Sequence, residues 1–469
     1  MKLFEKIFTA LLVVLCLNSF AEKKMNVILF VVDDLGYYDL SVTGSKLYET
    51  PNIDQLAKSG MQFQNAYVSH PRCVPSRFSL QTGKYPARLQ IPGGKEQMKT
   101  SEVTIGEAFK EAGYTTFFAG KWHLGKDASQ WPQNQGYDIN IGGCHAGAPP
   151  SYFFPYNIKK EGDKSNHSGI VGLEAGEEGE YITDRLTNET VNFIANHKNE
   201  TFFAVLCHYA VHTPLQAKKE KIEKYKAKIK KMNFDGPEYI TKDGTTKMHQ
   251  DNAIYAAMIE SMDESLGELV KTLKQEGIYD NTIIVFTSDH GGLSNRGTTN
   301  KRALATSNLP LRAGKGHVYE GGAKVPFFVY WPGVIQAETY SDQVTVNTDI
   351  FPTLLDVSGI PIKPESHLDG LSMLPAIKGK KSVERTLFWH SPVGRPESTG
   401  DENCSAVRVG DYKLIDFYDK NQIELYNLKS DPNETNNLVS SKKELTRTLL
   451  EKLNNWKTKV NAVHKKVKK

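Results

Sequence analysis

Residues 25 to 32 read Met-Asn-Val-Ile-Leu-Phe-Val-Val, a nearly unbroken apolar run that stops on Asp33-Asp34-Leu35-Gly36. A strand apolar on both faces must be covered on both faces, as in a parallel sheet with helices on either side. The two aspartates then stand where such sheets place their sites, beyond the carboxyl end of a strand. The pattern recurs along the chain. Tyr114 to Ala119 ends in Gly120-Lys121-Trp122-His123-Leu124-Gly125, and Thr201 to Tyr209 ends in Ala210-Val211-His212-Thr213-Pro214. Thr282 to Thr287 ends in Ser288-Asp289-His290-Gly291-Gly292, and Val325 to Trp331 closes on Pro332-Gly333. Helical patterns lie among these runs at Thr104 to Ala112, Gln216 to Met232 and Ala253 to Gln275. The repetition predicts an α/β fold, a doubly wound and mostly parallel sheet.

Past residue 375 the texture changes. Arg385 to Trp389, Ser405 to Val409, Tyr412 to Phe417 and Glu424 to Asn427 are short strand-like runs, and Leu445 to Val460 reads as a closing helix. The expected organisation is a catalytic α/β domain over 22–374 and a smaller antiparallel sheet with a helix over 375–469. Residues 1–21 form a signal peptide: Lys2 and Lys6 precede the apolar stretch Phe8 to Leu17, and Ser19-Phe20-Ala21 gives a cleavage site. That stretch is shorter than the ~20 residues of a spanning helix. The mature chain is expected to be exported, periplasmic or else secreted, with no membrane attachment. The net charge of the full 469-residue chain, +4, is concentrated in Lys218 to Lys231 and the tail 464–469. No zinc-finger, RNP or aromatic stacking pattern accompanies those lysines, so nucleic acid is not an expected partner. Four cysteines remain after the signal, Cys73, Cys144, Cys207 and Cys404, too few and too scattered for a disulfide framework.

Cys73 opens Cys73-Val74-Pro75-Ser76-Arg77, continued by Phe78-Ser79-Leu80-Gln81-Thr82-Gly83. Pro75 suits the first turn of a helix, which puts Cys73 at the helix N-terminus, where free N–H groups and the dipole favour an anion. Arg77 follows one turn later on the same face, so both can address one oxyanion. The alternative is a small buried thiol in a helix begun by proline. The strand ends decide for chemistry. Asp33, Asp34, Asp289 and His290 supply oxygen-rich ligands of the kind that hold calcium or magnesium. Arg77, Lys121, His123, His212 and Lys315 supply cations and proton carriers suited to a tetrahedral anion. Lys315 lies in Ala313-Gly314-Lys315-Gly316-His317, where flanking glycines permit close backbone approach.

Taken in order, these segments resemble the type I, formylglycine-dependent sulfatases of the alkaline phosphatase-like superfamily. The resemblance rests on Val32 to Gly36, Cys73 to Gly83 with Tyr85-Pro86-Ala87-Arg88, Gly120 to Gly125, His212-Thr213-Pro214, Thr287 to Gly291, and Lys315-Gly316 with Tyr319 to Gly322. Val409 to Leu414 and Glu424 to Leu428 resemble the family's C-terminal sub-domain. One position departs: many relatives carry asparagine where this chain has His290, a softer ligand. The resemblance implies conversion of Cys73 to formylglycine (3-oxoalanine) by a formylglycine-generating or anaerobic maturation enzyme. It implies a metal site of Asp33, Asp34, residue 73, Asp289 and His290, holding calcium, with magnesium as the alternative. It implies catalytic roles for Cys73, Arg77, Lys121, His123, His212 and Lys315, with no organic cofactor. The expected substrate is a sulfated polysaccharide or its oligosaccharides, such as ulvan, carrageenan or a glycosaminoglycan, in an exported bacterial enzyme. Two other readings compete: a phosphomonoesterase or phosphodiesterase of the same superfamily, and a non-catalytic glycan-binding protein with Cys73 unconverted. Specificity is expected in the loops Cys144 to Phe153 and His390 to Asp401.

Overall fold

The computed structural model describes residues 24–89, 97–157, 169–380 and 383–462. Positions 1–21, the tail 464–469 and residues 158–163 of the long loop Ala146 to Asp163 lie outside the described residues. The apolar runs become β1 (Asn26–Val32), β3 (Thr115–Gly120), β5 (Phe202–Cys207), β6 (Thr282–Ser288) and β7 (Phe327–Tyr330) of one eight-stranded sheet. The short strands β2 (Met61–Phe63), β4 (Ile139–Ile141) and β8 (Thr339–Ser341) complete it, in the order β8-β2-β7-β6-β1-β5-β3-β4. β1 lies inside the sheet, parallel to β5 on one side and to β6 on the other. β7 alone runs against its neighbours, antiparallel to β6 and β2. Its apolar run gives no hint of direction, so sequence periodicity does not reveal the reversal.

Among the described residues eight helices of seven residues or more flank these strands or close the chain: α1 (Pro51–Ser59), α2 (Cys73–Thr82), α3 (Ile105–Glu111), α4 (Ile182–Asn196), α5 (Lys219–Ile229), α6 (Ala253–Gln275), α7 (Ile350–Val357) and α8 (Lys443–Lys459). Alternation along β1 assigns them to layers. Ile28, Phe30 and Val32 share a core with residues of α1, α4 and α6, such as Ile53, Leu186 and Leu266. Val27, Leu29 and Val31 face the opposite core with Phe78 of α2, Phe109 of α3 and Phe351 of α7. Each such side chain contributes about 1.5–3 kcal/mol by leaving water. Helix α4 is not evident in the sequence: its Thr and Asn residues are weak helix formers, and the burial of Leu186, Phe193 and Ile194 overrides them.

The C-terminal strands β9 (Thr386–Ser391), β10 (Cys404–Val409), β11 (Tyr412–Phe417) and β12 (Gln422–Asn427) form an antiparallel sheet in that order. Leu449, Leu453 and Trp456 of α8 cover one face against Val407, Leu414 and Leu425. The other face packs Trp389 and Ile415 with Tyr67 and Tyr319, and the Trp389 indole donates to the Val68 carbonyl at 2.7 Å. Lys413 crosses this seam fully buried, its Nζ 3.0 Å from both Glu320 Oε1 and Glu434 Oε1. The four described cysteines are unpaired and buried. Among the described residues no helix is long and apolar enough to cross a membrane.

Candidate active site

All ten singled-out residues gather at the carboxyl ends of β1, β3, β5 and β6, with α2 directed into the same place. Cys73 is the first residue of α2, and the helix ends at Gly83, whose φ of 64° is the left-handed conformation that glycine adopts freely. Nine of the ten residues of α2 are buried, so the helix is a fixed mount rather than a surface feature.

Below Cys73 lie the acids. The Cys73 thiol is 3.7 Å from Asp33 Oδ1 and 3.2 Å from His290 Nε2. His290 Nε2 is also 3.3 Å from Asp34 Oδ1 and 3.6 Å from Asp289 Oδ1. Ligand atoms of Asp33, Asp34, Cys73 and His290 all fall within 4.8 Å of one another. Asp289 is held at the edge of this group: Oδ1 accepts the Asp34 N–H at 3.1 Å, and Oδ2 accepts Arg77 Nε at 3.0 Å. Asp34 keeps a left-handed backbone, φ 63°, which turns its carboxylate back over the strand end. Such strain at a non-glycine residue persists only where the surroundings enforce it.

The electrostatics suit a cation. Burial and the neighbouring Asp289 push the Asp33 carboxyl well above the usual carboxylate range. Burial acts the same way on Asp34, but Lys315, His212 and His290 outweigh it and hold that carboxyl below its ordinary value. Burial also opposes the Cys73 thiolate, yet Lys121, Lys315 and His290 bring its pKa well down. His290 resists burial through Asp289 and Cys73 and is shifted up. Three buried carboxylates and an imidazole around one point form an oxygen-rich, anionic donor set of the kind that holds a hard divalent ion.

Above the acids lies a cavity of about 230 Å³, lined by Cys73, His123, His212 and Lys315. Lys315 Nζ reaches both oxygens of Asp34, at 2.7 and 2.8 Å. His212 stands with Nε2 3.8 Å from Asp34 Oδ2 and Nδ1 2.5 Å from the Thr213 carbonyl. The second contact makes Nδ1 the donor and leaves Nε2 to face the cavity. Burial, then Lys315, pushes the His212 pKa down to about 3. His123 has φ 60°, and a Cβ on Gly147 would come within 2.4 Å of its ring, so only glycine lets that loop pass.

Two cations sit lower than their role at an oxyanion would suggest. Arg77 donates to Asp289 and, from Nη1 at 2.6 Å, to the Lys121 carbonyl. Lys121 is fully buried with Nζ 2.5 Å from Asp33 Oδ2. Both therefore brace the acids from beneath, because their nearest counter-charges lie there. The sequence reading missed three arginines on the cavity lining: Arg72, Arg302 and Arg395. Arg395 falls within the expected loop His390 to Asp401. Arg72 precedes Cys73 and forms an ion pair with Asp401, 329 residues away in sequence, which no local pattern reveals.

Comparison with known proteins accords with this geometry. The family model Sulfatase matches residues 25–360. A second, described as N-sulphoglucosamine sulphohydrolase, C-terminal, matches residues 313–459. A protein of Formosa agariphila named sulfatase is 30% identical, the alignment covering 94% of this chain and 90% of that protein. An N-acetylgalactosamine-6-O-sulfatase of Bacteroides thetaiotaomicron is 28% identical, over 94% of this chain and 95% of the relative. Among solved structures, Ps i-CgsB in complex with k-i-k-neocarrahexaose superposes with a TM-score of 0.76 and 32% identity, covering 92% of this chain and 93% of that one.

Proposed function

Since the chain belongs to the sulfatase family and is thus a sulfuric ester hydrolase, we propose that the site built on residue 73 removes sulfate from a sulfated glycan, of the carrageenan or glycosaminoglycan kind. The observation that carries this reading is one cavity in which Cys73, Lys315, His123 and His212 face each other above buried Asp33, Asp34 and His290, with Asp289 at their edge. Relatives with 28–32% identity over most of both chains act on N-acetylgalactosamine 6-sulfate by name or hold a neocarrahexaose, which supports a saccharide as the leaving group.

In this reading Asp33, Asp34, residue 73, Asp289 and His290 would hold a calcium ion, with magnesium the alternative, and Cys73 is matured to formylglycine by a partner enzyme. When bound, the ion supplies positive charge that makes a hydroxyl nucleophilic at neutral pH. The hydrated aldehyde at residue 73 supplies that hydroxyl, and a second one through which sulfate is expelled.

The chain's own side chains divide the remaining work. Lys315 holds sulfate oxygens and stabilises charge developing on them. Lys121 and Arg77 keep Asp33 and Asp289 in place. Nε2 of His212 faces the cavity; the negative charge of a bound sulfate ester favours a second proton on the ring, which Nε2 then gives to the departing sugar oxygen. His123, beside residue 73, takes the proton from the second hydroxyl. The N-terminal signal sends the protein to the periplasm, and residues 375–469 form a sub-domain whose 393–401 segment closes the cavity.

The test is sulfate release, followed by ion chromatography, from carrageenan oligosaccharides and glycosaminoglycan disaccharides by protein produced with a maturation enzyme. Release that disappears in Cys73→Ala is the expected result. Phosphate release from phosphate esters without any sulfate release would favour the phosphoesterase reading instead.

A further inference from the structure

The cavity above Cys73 has a second wall, formed by Arg302, Arg395, Ser398 and Thr399, that hydrolysis of the ester does not use. No carboxylate lines this cavity among the described residues. The cations of the reaction centre have their own partners: Arg77 with Asp289, Lys121 with Asp33, Lys315 with Asp34. Arg72 is matched by Asp401. Arg302 differs. Its Nη2 donates to a neutral acceptor, Thr213 Oγ1, at 2.7 Å, and it forms no ion pair among the described residues. Thr213 adjoins His212, so Arg302 stands beside His212 on the cavity lining.

The adjoining segment, on which the loop before Arg302 packs through Thr299 and Asn300 to Glu397, is fixed as firmly. Arg72 Nη1 donates to the Val393 carbonyl at 2.7 Å while its Nη2 pairs with Asp401. Asp401 in turn accepts the Thr399 hydroxyl, and His317 Nε2 lies 3.0 Å from the Thr399 carbonyl. Arg395, Ser398 and Thr399 are thereby anchored to the residue that precedes Cys73. At about 230 Å³ the cavity is smaller than the ~300–1,000 Å³ typical of ligand sites. A ligand with its ester at residue 73 therefore enters a cavity that both arginines line. Guanidinium groups present a planar fork that matches sulfate or carboxylate.

We infer that the substrate carries a second anionic group, on the sugar that bears the scissile sulfate or on its direct neighbour, and that Arg302 and Arg395 hold it. This rests on the glycan reading above. Sulfate and uronate carboxylate share the required chemistry.

The experiment compares kcat/KM for matched disaccharides with one sulfate, with a second sulfate, and with one sulfate plus a uronate, alongside an aryl sulfate. A charge-assisted contact is worth a factor of ~10 to 100, so one of the two-anion substrates should exceed the mono-sulfated one by at least ~10-fold. The double variant Arg302→Gln, Arg395→Gln should shrink that ratio toward one. Whichever two-anion substrate wins identifies the group. Equal values for all three disaccharides in the unaltered enzyme, or a ratio that survives in the double variant, would overturn the inference while leaving the glycan reading intact. Cleavage of the aryl sulfate with none of the saccharides would defeat both. The comparison with unaltered enzyme stands even if the double variant fails to fold.

Discussion

Replacing His212 with glutamine separates proton donation from mere occupancy of the site. The ring is held by one hydrogen bond, Nδ1 to the Thr213 carbonyl at 2.5 Å, and its side chain is 14% exposed. Losing that bond costs about 0.5–1.5 kcal/mol of stability, too little to unfold a protein of this size. Losing a general acid costs far more in rate, a factor of ~10² to 10⁴, or about 3–5.5 kcal/mol of barrier. The size of the loss must depend on the leaving group. A sugar alkoxide needs its proton in the transition state, whereas a nitrophenolate leaves readily without one. His212→Gln should therefore lower kcat on a sulfated disaccharide by two to four decades and on 4-nitrophenyl sulfate by less than ~10-fold. Sulfate release by ion chromatography and nitrophenolate absorbance give the two numbers on one preparation. Equal losses on both substrates would refute proton donation by Nε2 and reduce His212 to a structural neighbour of Asp34.

Three further outcomes follow from the same geometry. Lys413→Met leaves Glu320 and Glu434 buried without their shared cation, so the urea midpoint should fall by the equivalent of ~3–5 kcal/mol, and an unchanged midpoint would contradict the seam described above. Burial lowers the pKa of His208, with Nε2 2.8 Å from Ser265 Oγ, to about 3, so it stays neutral when folded but takes up a proton near pH 6.5 when unfolded. The unfolded state then binds more protons, and stability falls as pH drops; His208→Gln should lose about 2–3 kcal/mol less than the parent between pH 6.5 and 4.5, and parallel losses would count against it. Treatment with a chelator should abolish sulfate release and lower the melting temperature, with calcium restoring both, whereas activity that persists after exhaustive chelation would exclude a required ion at Asp33, Asp34, Asp289 and His290.

What could be read from the sequence followed from how strongly each segment is constrained. Buried parallel strands need long apolar runs, so β1, β5 and β6 are plain, and their polar ends point to Asp33, His212, Asp289 and His290 before any coordinates. Helix α6, Ala253–Gln275, matches its pattern to the residue because Asn252 caps it, its Oδ1 accepting the N–H of Ile254 and Tyr255. Strands of three residues such as Met61–Phe63 carry too little periodicity to be seen, and β7 takes its antiparallel direction from its neighbours rather than from its own residues. The depth of Arg77 and Lys121 is also invisible to motif spacing, since it depends on which acid each cation meets. Arg302 sits in a polar loop with no local mark of function, Arg395 is not distinguished within the loop His390 to Asp401 expected to set specificity, and only the fold brings the two into one cavity with Cys73.

The central claim is that residue 73 works as an aldehyde. Its most direct test is peptide mass spectrometry of the segment containing Cys73, on preparations made with and without a maturation enzyme, set against the sulfate each preparation releases. The account predicts that release rises in proportion to the fraction of chains carrying the aldehyde and vanishes where all carry the thiol. Full sulfate release from chains with an unmodified Cys73 would contradict it.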